Sequence, residues 1–232
     1  MPKAIKKKVK KRTVGTETEV KDRLHDIKES LQKKQKTVFV YSIIAASAVL
    51  VIAGILFYNY NARQKSGQLE YEAYKIYYDL YQKNTPAKQE KYQKALELFQ
   101  QAYSKKKSPR LLLYIADAYS QLGRYDEALN TLNAFTNKYI DEKNLLPLAY
   151  NKMAVIYLKK GNKDEALKTL DSLYKLPVDI YKDMALIESA RILENDGKKA
   201  EAASKYKELT EKFPESPFYE EAKNRLGENK GS

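Results

Sequence analysis

The 232-residue chain has no cysteine. That excludes disulfides, thiolate zinc sites, a cysteine nucleophile and a lipid-modified cysteine anchor. Histidine occurs once, at His25, and alone it reads as a polar surface residue. No serine sits in a Gly-x-Ser-x-Gly elbow, and no glycine-rich loop is spaced to cradle phosphate. Paired acids do occur, at Asp126-Glu127 and Asp164-Glu165. They fall in the first turns of expected helices, where negative charge suits the helix dipole. Neither enzyme activity nor a cofactor or metal site is expected.

Charge is also missing where it matters. VFVYSIIAASAVLVIAGILFY, Val38 to Tyr58, holds 21 residues without an ionisable group. As a helix it is about 30 Å long, the depth of a bilayer core. Core helices this long and uniformly apolar are rare. Phe39 and Tyr41 at one end and Tyr58 and Tyr60 at the other resemble interfacial aromatic belts. The run is too long for a cleaved signal peptide, and no small-x-small site follows in NYNARQKSG. The expectation is an uncleaved signal anchor spanning 38–58. Nothing in it suggests an ion pathway, and one small-xxx-small pair, Ser42 and Ala46, is too little to argue a dimer. Lys21, Arg23, Lys28, Lys33, Lys34 and Lys36 precede the span; only Arg63, Lys65 and Lys75 follow at comparable distance. The richer side stays in the cytoplasm. The chain is therefore expected to cross a bacterial inner membrane once, N-terminus inside and residues from about 59 onward exported.

Residues 1–37 carry 13 basic and 5 acidic side chains, so the tail supplies most of the chain's net charge of +13. MPKAIKKKVKKR cannot bury enough surface to fold alone. It could meet anionic lipid or ribosomal RNA, but a charge run carries little specificity. The expected role is to fix topology, and nucleic acid is not an expected partner. A short amphipathic helix should follow. Thr16 and Glu19 fit a capping box, and Val20, Leu24, Ile27 and Leu31 form an apolar stripe. Under two heptads long, the stripe is too short to call a coiled coil, and it would also suit a membrane surface.

Beyond a polar linker expected at 59–67, one phrase occurs twice. GRYDEALNTL begins at Gly123 and GNKDEALKTL at Gly161, with seven of ten positions identical. Tyr119, Gly123 and Ala128 keep the spacing of Tyr157, Gly161 and Ala166. Upstream, Leu112, Ile115, Ala116 and Tyr119 recur at helical period, as do Tyr150, Met153, Ala154 and Tyr157. Each unit reads as helix, glycine turn, helix, with the glycine suited to the left-handed conformation that ends the first helix. Small Ala116, Ala154 and Ala190 allow close helix approach. A weaker copy carries Gly197, Ala202 and Tyr206 and stops at Pro214. A partial one carries Tyr92, Ala95, Phe99 and Ala102, with QLEYEAYKIYYDLYQK as its first helix. The anchors Ala95, Ala128, Ala166 and Ala202 lie 33, 38 and 36 residues apart.

This pattern resembles the tetratricopeptide repeat, over residues 68–214. It implies an all-α fold: one N-terminal transmembrane helix, then an α-solenoid of three to four helical hairpins. Residues 215–232 should form a polar capping helix and tail. The basic tail, single anchor and short exported array together resemble the bacterial family of ancillary SecYEG translocon subunits. That resemblance implies a protein-interaction module beside the channel, meeting emerging chains or a periplasmic chaperone. The alternative is a tethered scaffold for envelope assembly or cell division. By register, first-helix residues Leu113 and Asp117, Asn151 and Val155, and Ile187 and Arg191 should line the groove. Some chaperone adaptors of this fold clamp a peptide carboxylate with lysine and asparagine at these positions. The pairs here do not match, so a carboxylate clamp is not expected. Tyr71, Tyr74, Tyr78 and Tyr81 line one face of the tyrosine-rich helix, and Leu69, Ala73, Ile76 and Leu80 another. A helix apolar on two faces expects partners on both. One face should pack on the helix around Tyr92–Tyr103. Tyr74 and Tyr81 mark the other as a docking or self-association surface.

Overall fold

A computed structural model describes residues 17–80 and 87–228. Expectations for residues 1–16, for Tyr81 and for the last four residues lie outside it. The described residues form nine helices and no strand. The chain divides into two units, Met1–Asn59 and Tyr60–Ser232.

The first unit is the leading part of α1 (Glu17–Tyr77). No side chain between Thr18 and Tyr60 is buried. This stretch includes a segment apolar enough to cross a membrane. Its serine hydroxyls turn back onto the helix: Ser42 Oγ donates to the Val38 carbonyl at 2.8 Å and Ser47 Oγ to that of Ile44 at 2.8 Å. Neither therefore needs an outside partner in an apolar medium. The short helix expected before the span is the beginning of this same helix.

The second unit is the repeat array. It begins with the last turns of α1, which run antiparallel to α2 (Lys88–Lys105). Ser66 Oγ donates to the Ala102 carbonyl at 2.9 Å near one end of the pair, and Asp79 binds Lys91 at 2.5 Å at the other. Leu69 and Ala73 are buried on this side, with Tyr77 against Tyr92 and Phe99. The polar stretch expected as a linker over 59–67 is helix, and Ser66 is buried within it. Polar composition alone does not break a helix; the stretch has no proline, and Gly67 costs only about 1 kcal/mol.

Three further hairpins follow: α3 (Pro109–Gln121) with α4 (Tyr125–Lys138), α5 (Leu146–Lys159) with α6 (Lys163–Tyr174), and α7 (Lys182–Asn195) with α8 (Lys199–Lys212). Each helix packs on the next, and α3 also meets α5. Gly123, Gly161 and Gly197 take φ of 73°, 78° and 75°. Each ends its helix the same way. Arg124, Asn162 and Lys198 donate backbone N–H groups to the carbonyls of Tyr119, Tyr157 and Leu193 at 2.8–2.9 Å. That is the Schellman closure, which requires a left-handed residue. In the first hairpin Asp79 takes this place at φ 55°, with Leu80 N–H on the Lys75 carbonyl.

The alanines Ala95, Ala128, Ala166 and Ala202 are all buried, as expected. So are the residues four places on (Phe99, Leu132, Leu170, Tyr206) and seven places on (Ala102, Phe135, Leu173, Leu209). Each second helix thus drives one stripe into the core; every large side chain buried there contributes about 1.5–3 kcal/mol. α9 (Tyr219–Glu228) closes the array. Ala222 is buried beside Ile187 and Leu186, with Phe218 and Leu226 packed around it.

Candidate functional site

The last turns of α1, together with α3, α5 and α7, form one wall of the repeats. The wall is aromatic at its N-terminal end. Tyr71, Tyr74 and Tyr78 are exposed, although Tyr74 and Tyr78 ring centroids lie 4.5 Å apart. Tyr74 also meets Tyr114 of α3 edge-on at 6.1 Å. Tyr114 is held in turn by stacking on Phe99 at 5.0 Å. Arg110 reaches Glu70 at 2.8 Å. Tyr71, Tyr74, Tyr114, Arg110, Glu70 and Gly67 enclose an open cavity of about 390 Å³. Tyr71 and Tyr74 of α1 thus line one cavity with Arg110 and Tyr114 of α3.

Further along, charges are paired. Lys152 of α5 donates to both carboxylate oxygens of Asp117 on α3, at 2.7 and 2.8 Å. Burial pushes the Asp117 pKa up, and the Lys152 charge only partly opposes it. Arg191 of α7 binds Glu188 at 2.6 Å and reaches α9 with two bonds to Glu221, at 2.9 and 2.5 Å. Burial also raises the Tyr78 and Tyr114 phenols, so both stay neutral hydroxyls near neutral pH. The wall therefore offers aromatic faces, hydroxyls and compensated ion pairs, which suit a polypeptide segment more than a free ion.

The six groove residues expected from register divide. Leu113 and Ile187 are buried, at 3% and 0% exposure, and have no surface to offer a partner. Their places are a correction: both belong to the core stripe with Leu112 and Leu186. Asn151 stays half-buried and Val155 is 43% exposed. Asp117 and Arg191 lie on the wall, but their charges are taken by Lys152 and by Glu188 and Glu221. Tyr74 is exposed where expected, and Tyr81 is outside the described residues. Sequence reasoning missed Arg110, Tyr114, Lys152 and Glu188. The last three each follow an expected residue by one position, a turn of about 100°; at Leu113–Tyr114 and Ile187–Glu188 that turn separates core from wall. A usable signal existed: Asp117 and Lys152 carry opposite charges about one repeat apart.

Among the described residues, His25, Asp26 and Glu29 bring ligand-type atoms within 4.8 Å of one another. All three are exposed, and Glu29 already pairs with Lys33 at 2.8 Å.

Two sequence profiles described as tetratricopeptide repeat match the array, over residues 87–148 and 151–217. Residues 87–217 belong to the tetratricopeptide-repeat family. Among solved structures, this repeat chain resembles a putative kinesin light chain of Podosopora anserina with nearly identical TPR-like repeats. That likeness has a TM-score of 0.50 and 17% identity over 71% of this chain and 84% of that one. MamA is more distant, with a TM-score of 0.46 and 17% identity over 53% of this chain and 70% of that one. At such identity the likeness concerns the fold alone. No curated protein matches the chain. Repeats of this family are typically scaffolds without enzymatic activity, and the array is a protein-protein interaction module.

Proposed function

We propose that this tetratricopeptide-repeat protein is anchored in a bacterial inner membrane by residues 38–58. Its array then works on the exported side, beside the secretion translocon, contacting emerging chains or periplasmic chaperones. The observation that carries the interaction role is the patch of Tyr71, Tyr74 and Tyr78, left exposed beside Tyr114. Contiguous exposed aromatic surface is costly in water and marks a place where another polypeptide sits. The anchor rests on the uncharged 21-residue segment and on the basic residues before it. The translocon neighbourhood rests on the resemblance in architecture.

Co-purification of the full-length chain in mild detergent tests this reading. Translocon subunits or exported-chain chaperones should accompany the native protein, and Tyr74→Glu should lose them while the chain stays helical. Recovery of envelope-assembly or division proteins alone, from both forms, would contradict it.

A further inference from the structure

The stripe Val20, Leu24, Ile27 and Leu31 has no role in the repeat array. All four side chains are between 51% and 61% exposed. Their spacings of 4, 3 and 4 place them alternately at the d and a positions of a heptad. The flanking e positions hold Lys21 and Lys28, and the flanking g positions hold Arg23 and Ser30. The acids Glu19, Asp22, Asp26 and Glu29 fall on the c and f positions, away from the seam. This apolar seam is thus bordered by positive charge on both sides.

Three occupants compete for it. Two copies anchored in one membrane with one orientation would pair in parallel. That pairing sets Arg23 of one copy against Lys28 of the other, a like-charge contact that weakens association. The membrane surface is the second. α1 runs unbroken from Glu17 to Tyr77. If 38–58 spans the bilayer, Leu31 stands about 10 Å and Val20 about 27 Å along the helix from the span. The headgroup layer is only about 5–7 Å deep, so most of the seam stands beyond it. The third is a helix from another protein, with apolar residues for the seam and acidic residues for its borders.

We infer that Val20, Leu24, Ile27 and Leu31, bordered by Lys21, Arg23 and Lys28, form a docking seam for an acidic amphipathic helix of a partner on the cytoplasmic side. The inference rests on the proposed membrane anchoring, and it is separate from the groove. The seam covers under two heptads, so affinity for an isolated helix is modest and gains from confinement at the membrane.

The test uses the full-length protein in nanodiscs, where both membrane sides are open. The probe is a labelled, designed helix with Leu and Ile at a and d and Glu at e and g. A matched helix carries Lys at e and g. The Glu probe should bind in a salt-sensitive way, and the Lys probe at least about tenfold more weakly. The pair Leu24→Asp and Leu31→Asp should abolish binding with helicity unchanged, because both sites are exposed. Lys21→Gln with Arg23→Gln and Lys28→Gln should remove the salt dependence. Equal binding of the two probes, or no binding of the Glu probe, overturns the inference. So does spontaneous disulfide pairing of Leu24→Cys between copies. So too does quenching of a dye at that cysteine by nitroxide-labelled phosphatidylserine in the nanodisc, which would put the seam on lipid. Reversed membrane orientation is read separately by thiol labelling in cells, and failure of the groove reading leaves all these outcomes intact.

Discussion

Lys152 on α5 grips both oxygens of Asp117 on α3, 2.7 and 2.8 Å away and one repeat earlier in the chain. The contact ties two hairpins together across the groove wall. Both side chains are about one-quarter exposed. Lys152→Met should leave a mostly buried carboxylate unpaired and destabilise the array by about 1–3 kcal/mol. The sign with pH follows from Asp117. Its folded pKa lies above its unfolded value, so it favours the fold in acid and loses that contribution as pH rises through the folded pKa. Removing Lys152 raises that pKa further. The deficit of Lys152→Met in chemical denaturation should therefore be larger near neutral pH than in acid. A deficit independent of pH would contradict the assignment.

Ala166 and Lys168 lie two residues apart on α6 and should behave oppositely. Ala166 is fully buried where helices meet. Ala166→Arg overpacks the site and buries an unpaired charge, at several kcal/mol. Lys168 is exposed and pairs with Glu165 at 2.7 Å; Lys168→Ala should leave the denaturation midpoint nearly unchanged. Matching midpoints for the two variants would mean that the register is wrong.

Gly161→Ala tests the turn directly. An added Cβ would meet nothing within 4 Å, so any cost comes from φ of 78° rather than from crowding. About 1–2 kcal/mol is expected. Gly123→Ala should cost about the same, and thermal unfolding of the double variant should show near-additivity.

Two truncations separate the helical start of the array from a linker. A domain from Tyr60 keeps the Ser66 hydrogen bond to the Ala102 carbonyl; one from Gln68 loses it. Both should be soluble and helical, because repeat arrays need only nearest-neighbour contacts. The longer form should be more stable by about 1 kcal/mol, the usual worth of one hydrogen bond. Equal stability would return residues 60–67 to the status of a linker.

The hairpins were legible because a left-handed closure needs glycine and a close helix crossing needs a small residue. Both signals are local, so Gly123, Gly161, Gly197 and the four buried alanines stand where their spacing puts them. The first hairpin was harder to read because Asp79 takes the place of glycine. The groove was legible only in part. Leu113 and Tyr114 differ by one step around α3, and periodicity cannot say which side of that step meets the next helix. The repeat path decides it, by packing Leu113 against the core and leaving Tyr114 beside Tyr74.

An introduced cysteine reads orientation cleanly, since the chain has none of its own. In cells with a permeable outer membrane, Ser232→Cys should react with an impermeant thiol reagent and Thr13→Cys should not. Labelling at position 13 alone would reverse the proposed topology.

The central claim is that the exposed tyrosines of the groove meet another polypeptide outside the cytoplasm. Photocrosslinking in cells, from full-length chains with the crosslinking residue at Tyr74 or at Lys168, tests it most directly. Tyr74 should give discrete adducts with exported chains, translocon subunits or periplasmic chaperones, and Lys168 few or none. Equal adducts from both positions, or adducts from Tyr74 with cytoplasmic proteins, would contradict the account.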